Sequence, residues 1–179
     1  MIERVISGGQ TGADQAGWRA AKRFGLATGG WMPRGYLTED GPRPEFAAMY
    51  GALEHKSPKY PARTEDNVIW SDLTILFGDP TSRGAMLVRR IEKDIQDSFR
   101  PDPILVPSND DCVMRVAKLV SARQPLILNI AGNRESKAPS IGAWVESFLC
   151  DVFKAMGLQE LPNAPPTPDP NHPARGDEV

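Results

Sequence analysis

Histidine and cysteine are scarce in this chain, which leaves a metal centre or a nucleophilic mechanism little to stand on. Its 179 residues include two histidines, His55 and His172, and two cysteines, Cys112 and Cys150. No pair of them has a metal-ligand spacing, and no serine, cysteine or histidine triad is visible. No catalytic residue and no metal ligand is therefore assigned. The cysteines sit in apolar, helix-like surroundings without a C-x-x-C partner, which predicts two reduced, buried thiols. Long hydrophobic runs are also missing. None approaches the roughly 18 residues of a membrane-spanning helix. An excess of positive charge is missing too: 21 Lys and Arg face 23 Asp and Glu, a net charge of −2. That balance argues against a general nucleic-acid binder. Met1 leads straight into a strand pattern, so no signal peptide and a cytoplasmic location are expected.

Short apolar runs recur at a regular beat: Arg4 to Ser7, Leu26 to Trp31, Leu73 to Phe77, Ile104 to Val106 and Leu126 to Ile130. Each is continuous and bounded by Gly, Pro or Asp, as strands buried on both faces of a parallel sheet are. Helical patterns lie between them. Asp14 to Phe24 carries Ala16, Ala20 and Ala21 and ends at Gly25. Arg83 to Asp97 places Met86, Leu87, Ile91 and Ile95 at helical spacing. Asn109 to Arg123 does so with Val113, Val116, Ala117 and Val120, behind a Ser108-Asn109-Asp110 start signal. Ile141 to Met156 puts Val145, Phe148, Leu149 and Phe153 on one face. The alternation predicts an open α/β sheet. One domain is expected over residues 1–160, followed by a Pro-rich flexible tail over 161–179. Residues 32–66 break the beat as a long connection rich in Pro, Gly and charge, the kind that is usually functional or disordered.

The turns at the strand ends carry the chemistry. The first run opens into Gly8-Gly9-Gln10-Thr11-Gly12, with Asp14 just inside the helix that follows. Glycines let a ligand approach the backbone, and free N–H groups at a helix start attract an anion. The dinucleotide fingerprint is incomplete: Ser7 stands at its first glycine, and no carboxylate follows about 20 residues on. A tight turn needing glycine for geometry alone, with Asp14 as a helix-start carboxylate, is the competing reading. If the loop is a cradle, Gly9→Asp should abolish binding with the fold intact. The second turn, Gly29-Gly30-Trp31 to Pro33, suits a flat ring packed close to backbone, or makes Trp31 a core aromatic. Arg63 reads as a partner for an anionic ligand or for a carboxylate elsewhere in the fold. Thr64 with Asn67 reads as a helix start. Thr81 and Ser82 read as anion binders or as a turn and cap. Asn129, Gly132, Arg134, Glu135 and Ser136 add amides, charge and a hydroxyl after the last strand, or form a solvated loop.

Taken in order, Ser7 to Asp14, Thr28 to Pro33, Tyr60 with Arg63-Thr64, Asn67-Val68, Ser71-Asp72 and Asn129 to Ser136 resemble the molybdenum cofactor carrier family. The resemblance spans roughly residues 2–155. It implies a Rossmann-like α/β fold, an open, mostly parallel sheet with helices on both faces in three layers. It also implies relatedness to the cytokinin-activating phosphoribohydrolases. It implies binding, protection and transfer of molybdenum cofactor, a phosphorylated pterin (molybdopterin), as cargo rather than its conversion. Gly8, Gly9, Gln10, Thr11, Gly12, Asp14, Gly29, Gly30, Trp31, Pro33, Arg63, Thr81, Ser82, Asn129, Gly132, Arg134, Glu135 and Ser136 would then line the cleft. A homo-oligomer, dimer or tetramer, is implied, with molybdoenzymes or cofactor-biosynthesis proteins as partners. The phosphoribohydrolase motif Pro-Gly-Gly-x-Gly-Thr-x-x-Glu has no match in Gly78 to Leu87, which disfavours hydrolysis. A nucleoside-monophosphate hydrolase and a sensor of a nucleotide-derived ligand stay open as alternatives.

Overall fold

The computed structural model describes residues 2–95, 101–108 and 112–164. The strands are β1 (Arg4–Ser7), β2 (Ala27–Met32), β3 (Leu37–Thr38), β4 (Gly41–Pro42), β5 (Ala52–Glu54), β6 (Leu73–Phe77), β7 (Ile104–Val106) and β8 (Ile127–Gly132). The helices are α1 (Ala13–Arg23), α2 (Phe46–Tyr50), α3 (Tyr60–Trp70), α4 (Arg83–Asp94), α5 (Val113–Arg123) and α6 (Ile141–Ala155).

Among the described residues, six strands form one sheet in the order β5-β2-β1-β8-β6-β7, and every pairing in it is parallel. β3 and β4 make a separate antiparallel hairpin. The three layers follow from the alternation along β6, where every residue is buried. Ile75 and Phe77 join a core with residues of α1, α5 and α6, while Leu76 joins a second core with Val68, Ala85, Val88 and Ile91 of α3 and α4. A strand covered on both faces reads as a near-continuous apolar run; the one polar residue of β6, Thr74, is buried and accepts from Asn129. A third, smaller core gathers Trp18, Met32, Phe46 and Ala52 at the β5 end.

The expected architecture is borne out, and β1, β6 and β7 match the expected runs residue for residue. Four details differ. The long connection 32–66 is ordered, holding the hairpin, α2, β5 and the first half of α3. α3 begins at Tyr60, with Pro61 in its first turn, so Thr64 and Asn67 lie inside the helix rather than at its start. Met86 is exposed; Ala85, Val88 and Ile91 are the residues α4 buries. Neither cysteine is in a disulfide, but only Cys150 is buried, Cys112 being partly exposed. Residues 96–97 of the helix expected over Arg83 to Asp97, the Asn109-Asp110 start signal and residues 165–179 of the tail fall outside the described residues. Leu161 N donates to Arg23 O at the end of α1, and Ala164 N turns back to Leu161 O. Glu160 bridges Arg23 of α1 and Lys154 of α6. No helix among the described residues is long and apolar enough to cross a membrane.

Candidate functional site

The last strand, β8, sits in the middle of the sheet between β1 and β6. The chain leaves β1 and β8 toward α1 and α6 on one face, and leaves β6 toward α4 on the other. Adjacent connections that part in this way open the crevice where ligands of open α/β sheets bind. The candidate loops Gly8 to Gly12, Gly78 to Ser82 and Asn133 to Ser140 all leave the sheet at this edge.

The glycine loop is closed by the protein's own carboxylate. Asp14 reaches back from the first turn of α1, and its Oδ2 accepts from Gln10 N at 3.3 Å, with the Gly8 and Gly132 backbones also bonded to it. Gly9 N donates to Ser7 Oγ, Thr11 N to Gln10 Oε1, and Ala13 N to Asn133 O. The N–H groups of Gly8, Gly9, Gln10, Thr11 and Ala13, expected to be free in a ligand cradle, therefore have internal partners. The helix start attracts an anion as its dipole requires, but that anion is a side chain one turn away. Burial pushes the Asp14 carboxyl above its ordinary range, opposed by Arg63 and by the backbone bonds.

Arg63 of α3 lies across Gly8 and meets Asp14 Oδ2 at 3.4 Å. Of the two partners open to it from sequence, it has the carboxylate. It also keeps something in reserve: Arg63 is 9% exposed, and its Nε is buried without a hydrogen bond. Gly8 is where a side chain would collide with that guanidinium. Gly9 differs. A Cβ there would meet Met32 Sδ at 2.6 Å and Trp18 at 2.8 Å, at a φ of +69°. The position faces packed core, so Gly9→Asp would disturb the fold itself, contrary to the expectation of an intact mutant.

A second carboxylate comes from the hairpin, which the sequence did not single out. Glu39 stands in the β3–β4 turn and accepts from the Thr11 hydroxyl, the Ser136 hydroxyl and Ser136 N, with Arg134 Nη1 at 3.7 Å. Its own N–H donates to Gln10 Oε1 at 2.9 Å. Partial burial would raise its pKa, but the bonds from Ser136 and Thr11, with Arg134 nearby, hold it below the ordinary carboxylate value. A third carboxylate, Glu135, accepts from Ser140 N and, at 3.0 Å, from Gly142 N. It caps α6, whose N-cap residue Ser140 makes no side-chain cap bond. Glu135→Ala should lower the unfolding free energy by about 1–2 kcal/mol, the usual loss of a cap. A urea midpoint unchanged from the parent would show that α6 does not need it.

The remaining candidates divide. Asn133 stitches the crevice: its Oδ1 accepts from Asp79 N at 2.8 Å and its N–H donates to Phe77 O. Thr81 donates twice to Asp79 Oδ1, and Ser82 Oγ caps α4 through Ala85 N, the turn-and-cap arrangement. Asn129 lies inside β8, 2% exposed, and donates to Thr74 Oγ1 rather than facing the edge. Gly132 ends β8 where a Cβ would run into Phe77 and Ala13. Gly12 meets Asn133 and Glu135 in the same way. Gly29 and Pro33 are buried, and Gly30 lies against β1. Trp31 is half-buried and packs with Trp70 and His55, at ring separations of 5.2 and 6.0 Å. Asn67 clamps its backbone, accepting from Trp31 N at 2.7 Å and donating to Trp31 O at 3.0 Å. The family motif included Asn67, but nothing local in the sequence announced this role. Among the described residues no group of three His, Cys, Asp or Glu is arranged to hold a metal ion.

The fold has a solved relative. A crystal structure described as a "Putative molybdenum carrier protein" from Syntrophus aciditrophicus SB superposes with a TM-score of 0.71 at 29% identity, covering 87% of this chain and 94% of that one. A comparison with curated proteins gives no match. A comparison with protein families matches residues 5–153 to the Circularly permutated YpsA SLOG family. The resemblance read from the motifs is borne out by these matches, and the chain belongs to the Circularly permutated YpsA SLOG family.

Proposed function

We propose that this protein binds molybdenum cofactor, or a closely similar phosphorylated pterin, at the carboxyl edge of its sheet, and protects it for transfer. The observation that carries the reading is the Arg63 guanidinium, buried at that edge with an N–H that no protein group accepts. A buried donor left without a partner is costly, and an anionic ligand beside Gly8 would supply the missing acceptor. The relative described as a molybdenum carrier supports molybdenum cofactor as the ligand, and the family match spans every loop concerned. Gly8 would let the ligand approach Arg63 over bare backbone, Arg134 would add charge at the rim, and the Trp31–Trp70 pair would offer apolar surface nearby. The Thr81 and Ser82 hydroxyls, already engaged in the turn after β6, offer a hydrolase reading no support.

Cofactor released from a molybdoenzyme decays in air. Mixed with the pure protein, its reconstituting activity should persist several-fold longer, and Arg63→Met should lose most of that protection. Decay at the buffer rate in the presence of wild-type protein would overturn the proposal.

A further inference from the structure

Two hydroxyls, a backbone N–H and a guanidinium converge on one point of the cleft, and the group they hold is the carboxylate of Glu39. Donors of this kind are what a phosphate or another tetrahedral oxyanion recruits. They come from the two ligand loops, Thr11 before α1 and Arg134 and Ser136 after β8. Glu39 comes from neither. It stands at the tip of a hairpin whose strands are two residues each. The base of that hairpin is fixed: Arg34 N donates to Ser57 O, and Arg43 N to Tyr36 O. The outer side of the tip is lightly packed: a Cβ on Gly41 would meet nothing within 4 Å, and Leu37 and Asp40 are exposed, while Thr38 is buried. The bonds of Glu39 to Thr11, Gln10, Arg134 and Ser136 therefore tie the tip to the site.

We infer that the β3–β4 hairpin is a latch on the cleft: Glu39 holds the place of a tetrahedral oxyanion on Thr11, Arg134 and Ser136, and a ligand bearing such a group displaces it and frees the hairpin tip. The inference rests on the reading of this edge as an anion-binding cleft. Both anions cannot occupy the same donors, so binding and release of the tip are one equilibrium. A carboxylate has one charge and two oxygens, whereas a phosphate monoester brings up to two charges and three free oxygens. The tethered carboxylate competes at high local concentration, so the ligand affinity is lowered by the fraction of molecules that are closed.

Calorimetric titration of wild type, Glu39→Gln and the double variant Glu39→Gln/Arg134→Gln with inorganic phosphate, and separately with molybdate, tests this. Glu39→Gln keeps the size of the side chain and removes its charge. It should bind phosphate at least about tenfold more tightly than wild type, and the double variant should lose the gain. Molybdate gaining and phosphate not would place the metal end rather than the phosphate end of the cargo on this subsite. In wild-type protein, saturating oxyanion should raise hydrogen exchange at residues 35–43, a readout that needs no variant. Wild type and Glu39→Gln binding both anions with equal affinity, and exchange unmoved, would overturn the latch and leave the anion cleft standing. No oxyanion binding by either protein, with wild type still protecting the cofactor, would likewise overturn the latch alone. Failure of that protection would fall on the cleft reading instead.

Discussion

Gly30→Ala is expected to remove about 4 kcal/mol of stability, a large share of what a domain of this size has. Gly30 has a φ of +117°, where an L side chain is strained by about 1–2 kcal/mol. Strain is the smaller part. A Cβ there would overlap the Ser7 carbonyl oxygen and stand 2.8 Å from Ser7 N, with Asn67 Oδ1 at 3.1 Å. The first two are backbone atoms of β1, which is held on both sides, by β2 and by β8. Neither a rotamer change nor a small shift relieves the overlap, and overpacking of this kind costs about 1–3 kcal/mol. The melting midpoint should fall by roughly 10 °C. Gly41→Ala is the control. Its φ is +101° but nothing lies within 4 Å of its Cβ position, so it carries strain without overlap and should lose only about 1–2 kcal/mol. Equal losses in the two variants would mean that β2 does not press on β1 at Gly30.

The contrast between those glycines shows what could and could not be read from sequence. The central strands were legible because a strand covered on both faces is a near-continuous apolar run, and β6, apolar but for Thr74, is the clearest case. β5 was not, for a physical reason: it is three residues long, pairs with β2 alone and leaves Leu53 exposed. α3 was obscured by its content. It buries Arg63 and Asn67 together with Val68, so its apolar stripe is weak. Thr64, which resembles a cap in sequence, bonds back to Tyr60 O inside the helix.

The site was legible as a place and not as a state. The loops named from sequence do meet at one edge of the sheet. Whose anions fill them is a tertiary fact. Asp14 could be foreseen near a helix start, because it is close in sequence. Glu39 could not, since it reaches Thr11 across 28 residues and Ser136 across 97. The sequence shows donors for an anion; the fold shows that the protein carries its own.

Arg63→Met is expected to cost about 3 kcal/mol near neutral pH, because it leaves Asp14 buried without its counter-charge. Both side chains are shielded, at 11% and 5% exposure, so water cannot replace the lost partner. Burial already raises the Asp14 pKa, and Arg63 is the largest influence opposing it. Without Arg63 the pKa rises further. A carboxyl whose folded-state pKa lies above its unfolded value favours the fold while protonated, and the advantage is lost as pH rises through the folded value. The deficit of Arg63→Met should therefore be smaller at pH 5 than at pH 8. Asp14→Asn/Arg63→Met should recover most of the loss at pH 8, because an amide oxygen still accepts from Gln10 N and carries no charge to strand. Urea unfolding of the parent, both single variants and the double variant at the two pH values gives the coupling directly. A deficit below 1 kcal/mol that does not vary with pH would show that the pair is not what holds the glycine loop closed. A large, pH-dependent deficit, rescued by neutralising Asp14, would establish that the anion at the start of α1 is the protein's own.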